Sequence, residues 1–201
     1  MANDEWETPE PLFDRLDRVC LDLTGDVFKF DVCAGVNNRK IPFAWMKEDD
    51  ALSKGTMEWA ENGPCWMNPP YSKIEPWVAM AEAVQKTGGV VFALIPLSAE
   101  TRYFQKHVMG VAETILVLNR RIRFVGAPSG AKGPNVVAIY RPHLGGTRWV
   151  PFEISTEEAG QPLRKKKGKC QKCKHVRHEE MCAVVVSDQH PSFSATCGCM
   201  P

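Results

Sequence analysis

The chain has 201 residues, 44% of them hydrophobic, and a formal net charge of +1. That length supports one substantial core with a small appendage, and near-neutrality excludes wholesale attraction to a polyanion while leaving local basic clusters to supply it. No run is long and apolar enough to span a bilayer, and the acidic opening "MANDEWETPE" carries no apolar signal region, so a cytoplasmic protein without a membrane partner is expected.

In chain order, Thr8-Pro9 reads as an N-cap and first helical position, and Leu12, Phe13, Leu16, Val19 and Cys20 then share one helical face. "DVFKFDVCAG" alternates Val27 or Phe28, Phe30 and Val32 with polar residues, which predicts a strand ending in the small-residue turn Cys33-Ala34-Gly35. A short strand is expected at Cys65 to Met67. A helix follows, with Ile74, Trp77, Val78, Ala81 and Val84 inward, stopped by Gly88-Gly89. The unalternated run "VVFALIP" suits a central strand covered on both faces. "AETRYFQKHV" reads as a helix and "ETILVLN" as a strand. "RIRFVG" and "NVVAIYRP" read as two terminal strands joined by the loop Gly126 to Pro134. Trp45, Trp59 and Trp77 are expected in the core.

This alternation predicts an α/β fold, a doubly wound, mostly parallel sheet with an antiparallel end hairpin. Ligands of such sheets bind beyond the carboxyl ends of the strands. The loops Asp31 to Gly35 and Asn68 to Tyr71 occupy that edge. Three segments are expected: residues 1–155 as the main domain, 156–168 as a basic linker, and 169–201 as a Cys-rich tail.

"WMNPPYS" raises the chemical question. An exocyclic amino group on adenine or cytosine, or a carboxamide nitrogen, delocalises its lone pair into a π system and is a poor nucleophile. A site that methylates it must hold the nitrogen at the methyl donor and favour its pyramidal form. Two acceptors on the two N–H bonds do this, namely the side-chain oxygen of Asn68 and the carbonyl of Pro69. Pro69 and Pro70 fix φ near −65° and restrict the residue before each, so the loop aims its carbonyl without relaxing. Tyr71 offers a face on which an extruded base can stack. The plain alternative for an isolated Asn-Pro-Pro-Tyr is an ordinary turn.

Beyond that loop, "WETPEPLFDRL", "FDVCAGVNNRK", "DDALSKGTMEWA" and "WMNPPYSKIEPWV" together resemble the phage-type DNA N6-adenine methyltransferases, the small Dam-like enzymes, over roughly Trp6 to Tyr140. The resemblance implies a Rossmann-like class I methyltransferase sheet and site-specific transfer of a methyl group from S-adenosylmethionine to a flipped adenine of double-stranded DNA. A role in phage DNA modification or anti-restriction would go with it. It also implies that Asn68, Pro69, Pro70 and Tyr71 are catalytic. Thr8 and Pro9 match the cofactor-side segment, Asp31, Cys33 and Ala34 the loop around the donor's methionine moiety, and Asp50 an acidic residue near its adenosine.

The first-strand loop lacks the glycine-rich FxGxG form, which weights Asp31 above Gly35. The chain between that loop and Asn68 is too short for a separate target-recognition domain, so sequence choice must come from loops. The best candidate is Arg120 to Lys132, where Arg120, Arg121 and Arg123 would meet phosphate or guanine edges and Phe124 would pack on an extruded base. A solvated hairpin is the alternative for those arginines. The same chemistry also suits an RNA base or a protein glutamine. From another class comes a catalytically inactive, zinc-bearing DNA-binding protein.

The tail supplies Cys170, Cys173, Cys182, Cys197 and Cys199, with His175, His178 and His190 nearby. A Cys-x-x-Cys knuckle with a distant Cys-x-Cys points to a structural Zn2+, since tetrahedral ligation closes a fold too small to bury enough apolar area. Cys170 and Cys173 are the firmest ligands. Two more come from Cys182, Cys197 and Cys199, with His178 a possible substitute. Thiol exchange is the competing use of the knuckle, without the strand and helix context it needs. The neighbouring cations Arg164, Lys165, Lys166, Lys167, Lys169, Lys172 and Lys174, with no acid among them, suit either phosphate binding or a solvated linker.

Overall fold

The computed structural model describes residues 6–36, 38–127 and 129–162. The predicted tail ligands Cys170, Cys173, Cys182, Cys197 and Cys199 lie outside these residues.

The first helix, α1 (Glu10–Thr24), buries Leu12, Phe13, Leu16 and Cys20, the face that the 3.6-residue spacing predicts, and ends on Gly25 in the left-handed region at φ 81°. Its start differs from expectation. Pro9 is the N-cap and Glu10 the first helical residue, and no side chain caps the helix. Thr8, buried at 2% exposure, has an Oγ1 with no hydrogen-bond partner among the described residues, so it is not the N-cap.

Among the described residues seven strands follow: β1 (Phe30–Ala34), β2 (Ala44–Met46), β3 (Cys65–Met67), β4 (Val91–Pro96), β5 (Thr114–Leu118), β6 (Asn135–Tyr140) and β7 (Arg148–Phe152). They form one sheet in the order β2-β1-β3-β4-β6-β5-β7. β1, β2, β3 and β4 pair parallel, β6 runs antiparallel between β4 and β5, and β7 pairs parallel to β5. Only β6 runs against the rest. The sheet is therefore mostly parallel with an antiparallel hairpin, the coarse architecture the alternation predicts.

The hairpin's strands are corrected. β6 pairs with β5, through Thr114↔Ile139 to Val117↔Val136, and "RIRFVG" forms no sheet strand. That segment contributes one isolated bridge, Glu7↔Val125.

α1 covers one face of the sheet with Phe28, Trp66, Phe92, Leu94, Val137 and Ile139 beneath it. The opposite face is covered by α2 (Thr56–Glu61), α3 (Ile74–Lys86) and α4 (Arg102–His107), through residues including Trp59, Ile74, Val78, Ala81, Val84 and Phe104. β4 and β6 lie between the layers with nearly every side chain buried, which is why they read as continuous apolar runs. Trp45 and Trp59 are buried as expected, and Trp77 packs half-buried against the same cluster. Each fully buried large apolar side chain contributes roughly 1.5–3 kcal/mol.

Candidate active site

The parallel strands all deliver their carboxyl ends to one edge, and β6 begins there. Asn68 leaves β3 directly, after three residues that are all buried and so fixed in position. Pro69 is buried, Pro70 sits at φ −59° and ψ 118°, and a short helical turn, Tyr71–Lys73, carries the chain into α3. The two rings leave this bend little freedom to relax.

The Asn68 carboxamide donates from Nδ2 to the main-chain carbonyl of Trp6 at 2.9 Å. A carbonyl only accepts, so this contact assigns the nitrogen to Trp6 and leaves Oδ1 as the amide's acceptor. Trp6, Asn68, Pro69, Tyr71 and Phe124 line one pocket. Tyr71 is held from behind by Asn135, whose Nδ2 donates to the phenol oxygen at 3.0 Å, and burial pushes the phenol's pKa up. The Tyr71 ring stands edge-on to Phe124, centroids 6.1 Å apart at 79°, and Phe124 lies nearly parallel to Trp6 at 5.9 Å and 28°. The pocket is thus an aromatic corner whose lining also includes Asn68 and Pro69.

Beside this pocket, Asp31 in β1 is buried at 3% exposure and accepts main-chain N–H groups from Cys33 at 3.2 Å and Lys40 at 3.4 Å. Burial outweighs those bonds and lifts its pKa to about 6. Cys33 and Ala34 end β1 rather than forming a loop. Burial and the Asp31 charge push the Cys33 thiol well up, against a hydrogen bond from the Asn68 main chain that ties β1 to the bend after β3.

The Lys40 side chain is 3% exposed, and its Nζ bonds Glu7 Oε1 at 2.7 Å and Glu10 Oε2 at 2.5 Å. With its N–H on Asp31, Lys40 joins β1 to the Glu7-Thr8-Pro9 segment. Asp50 lies past the carboxyl end of β2, exposed, at φ 45°, a left-handed conformation that Asp tolerates better than most residues.

The segment 119–134 closes the other side. Ile122 and Phe124 are buried, while Arg121 and Arg123 between them are exposed. Arg123 N–H donates to Ala159 O at 2.8 Å, and Gln161 Nε2 donates to Arg121 O at 2.8 Å. Gly160 passes so close, at φ 64°, that a Cβ there would stand 2.3 Å from Arg123 O. Arg120 differs from its neighbours, its Nε being committed to Ile154 O at 2.9 Å.

The DNA N-6-adenine-methyltransferase (Dam) family model matches residues 1–147, which contain the residues lining the pocket and those around Asp31. The chain belongs to that family. It is also 30% identical over 122 residues, 57% of this chain and 68% of the relative, to the DNA N-6-adenine-methyltransferase of Haemophilus phage HP1 (strain HP1c1).

Of the residues expected from sequence, the structure brings Asn68, Pro69 and Tyr71 of the family motif and Phe124 of the recognition-loop candidate into one pocket, and joins Asp31 to the Thr8 segment through Lys40. Asp50 stands at the same edge without a side-chain hydrogen bond among the described residues. Trp6, Lys40 and Asn135 escaped the sequence reading. Trp6 was within reach of it, standing two residues before Thr8 in the matching segment. Lys40 and Asn135 carry no local signal, because their partners lie 33 and 64 residues away. Among the described residues, no group of three or more His, Cys, Asp or Glu side chains forms a metal site, and no helix is long and apolar enough to cross a membrane.

Proposed function

We propose that this chain transfers a methyl group from S-adenosylmethionine to the N6 nitrogen of an adenine turned out of double-stranded DNA. The observation that carries the reading is the Asn68 carboxamide, oriented by Trp6 so that an oxygen acceptor remains beside the Tyr71 and Phe124 rings.

The donor is cationic, and the residues at the adjoining edge fit it. The buried Asp31 carboxyl supplies negative charge above pH 6, and the orphaned, buried Thr8 Oγ1 supplies a hydrogen-bond donor or acceptor that the fold leaves unused. Pro9 fixes the chain at Thr8, Cys33 and Ala34 would floor the donor site at the end of β1, and the Asp50 carboxylate would accept a hydrogen bond from a ribose hydroxyl of the donor. When bound, S-adenosylmethionine supplies an electrophilic methyl carbon on sulfonium sulfur.

The chain's own residues do the rest. Asn68 Oδ1 and the Pro69 carbonyl each accept one N6–H, which draws the lone pair out of the purine π system and aims it. Tyr71 stacks on the base, worth about 1–3 kcal/mol, and Asn135 holds its ring. As N6 gains its bond to carbon its acidity rises, and one of its two held protons leaves to solvent, so no strong base is needed. Arg121 and Arg123 point outward from the loop that carries Phe124 and would meet phosphates flanking the extruded nucleotide.

Methylation-sensitive sequencing of DNA from cells expressing the chain, beside cells expressing Asn68→Ala, tests this. Adenine methylation in a fixed context is expected with the first and a loss of at least about a hundredfold in rate with the second. Methyl transfer to RNA or to protein glutamine, with DNA unmodified, would overturn it. In a phage setting such modification serves protection of the genome from restriction.

A further inference from the structure

Trp6 is partly buried against the core cluster that holds Phe124, and its main chain ties it to the site as well. Its carbonyl accepts Asn68 Nδ2–H at 2.9 Å, and its indole lies on Phe124. The next residue repeats the pattern on two other elements. Glu7 O accepts Val125 N–H at 2.9 Å, and Glu7 Oε1 accepts from Lys40 Nζ at 2.7 Å. Residues 6–8 therefore form a strap across the mouth of the edge, fastened to the bend after β3, to the 119–134 segment and to the chain following β1.

An Asn carboxamide is nearly symmetric in shape and can present either end. Turned over, Asn68 would offer N–H groups to a base nitrogen that itself carries only N–H at that position, a repulsive pairing. What decides the orientation is the single carbonyl at Trp6. We propose that Trp6 is a positioning residue for methyl transfer: its carbonyl locks Asn68 with Oδ1 toward the base, and its indole, braced on Phe124, keeps that carbonyl seated and walls the pocket. The inference rests on the methyl-transfer reading above for its consequence, and on geometry alone for the contact.

The full chain is compared with its Trp6→Ala and Trp6→Phe forms by single-turnover rate, donor Kd, thermal midpoint, and the NMR signals of the Asn68 side-chain amide, assigned through their absence in Asn68→Ala. Trp6→Ala is expected to slow transfer about tenfold or more while donor Kd stays within about threefold. Trp6→Phe, which keeps a ring against Phe124, recovers most of the rate. The wild-type amide shows one proton moved downfield by the Trp6 carbonyl, and Trp6→Ala removes that shift. A Trp6→Ala rate equal to wild type overturns the proposal, as does an equal slowing in both variants with the amide signals unchanged. A wild type that methylates no DNA, yet shows the Asn68 shift and its loss in Trp6→Ala, sinks the methyl-transfer reading and leaves the positioning contact standing.

Discussion

Asp31 shows most clearly how one side chain's environment fixes what can be measured. Its folded pKa, about 6, lies above its ordinary 3.8, so between those values the folded chain binds more protons than the unfolded one. Stability from this group is present below pH 4 and lost as pH rises to 6. Asp31→Asn removes the buried charge and is expected to raise the stability of the donor-free protein by about 1–3 kcal/mol at pH 7.5, with little change at pH 4, read from thermal midpoints. In the proposed function the same ionisation would serve the cationic donor. Calorimetry should find the wild-type donor affinity weaker at pH 5 than at pH 7.5, and that pH dependence absent in Asp31→Asn. At this scale, legibility follows locality. The bend at Asn68 to Tyr71 was readable because its signal sits in four consecutive residues at a strand end. Lys40 and Asn135 were not, because a lysine and an asparagine acquire their roles only from the acids and the phenol that folding brings to them.

Among the elements, the segment 119–134 is where sequence and structure part. "RIRF" has the alternation of a strand, and the alternation is real, with Ile122 and Phe124 inward and Arg121 and Arg123 outward. Its main-chain bonds go instead to Ala159 and, from Val125, to Glu7, so it binds the site together without entering the sheet. β2 is three residues long and β7 contains Pro151 on an exposed edge, too little pattern for either to be read in advance. β3, equally short, was legible because a helix and a buried run frame it. The arginines of the segment separate by geometry. Arg121→Ala and Arg123→Ala are each expected to reduce the slope of log K against log salt for duplex binding by about 1, weakening all sequences alike. Arg120→Ala loses the bond to Ile154 O and is expected to cost about 1–2 kcal/mol of stability, with a smaller change in that slope. Fluorescence anisotropy over a salt series, with thermal melts on the same samples, distinguishes the two kinds of arginine.

For the whole molecule, charge is distributed against the total. The sum is +1, yet seven cations stand together from Arg164 to Lys174, beyond the last described residue and beside the first Cys-x-x-Cys pair. Among the described residues, the second buried cluster runs on to Ile154 and Ala159. A chain ending at Pro162 keeps every described residue and removes the basic run together with the tail cysteines. The full chain is expected to carry about one zinc per molecule by elemental analysis, and the shortened chain none. DNA binding then separates the two uses of the basic run. Where the cations neutralise phosphates, shortening the chain flattens the salt slope by up to about 6, since each neutralised phosphate contributes about 0.9. Where they form a solvated linker, the slope is unchanged, and the whole of the chain's hold on DNA falls to the loops at the sheet edge. The first outcome is expected, because a chain with a net charge of +1 and seven cations gathered in one run has few other places from which to draw non-specific affinity.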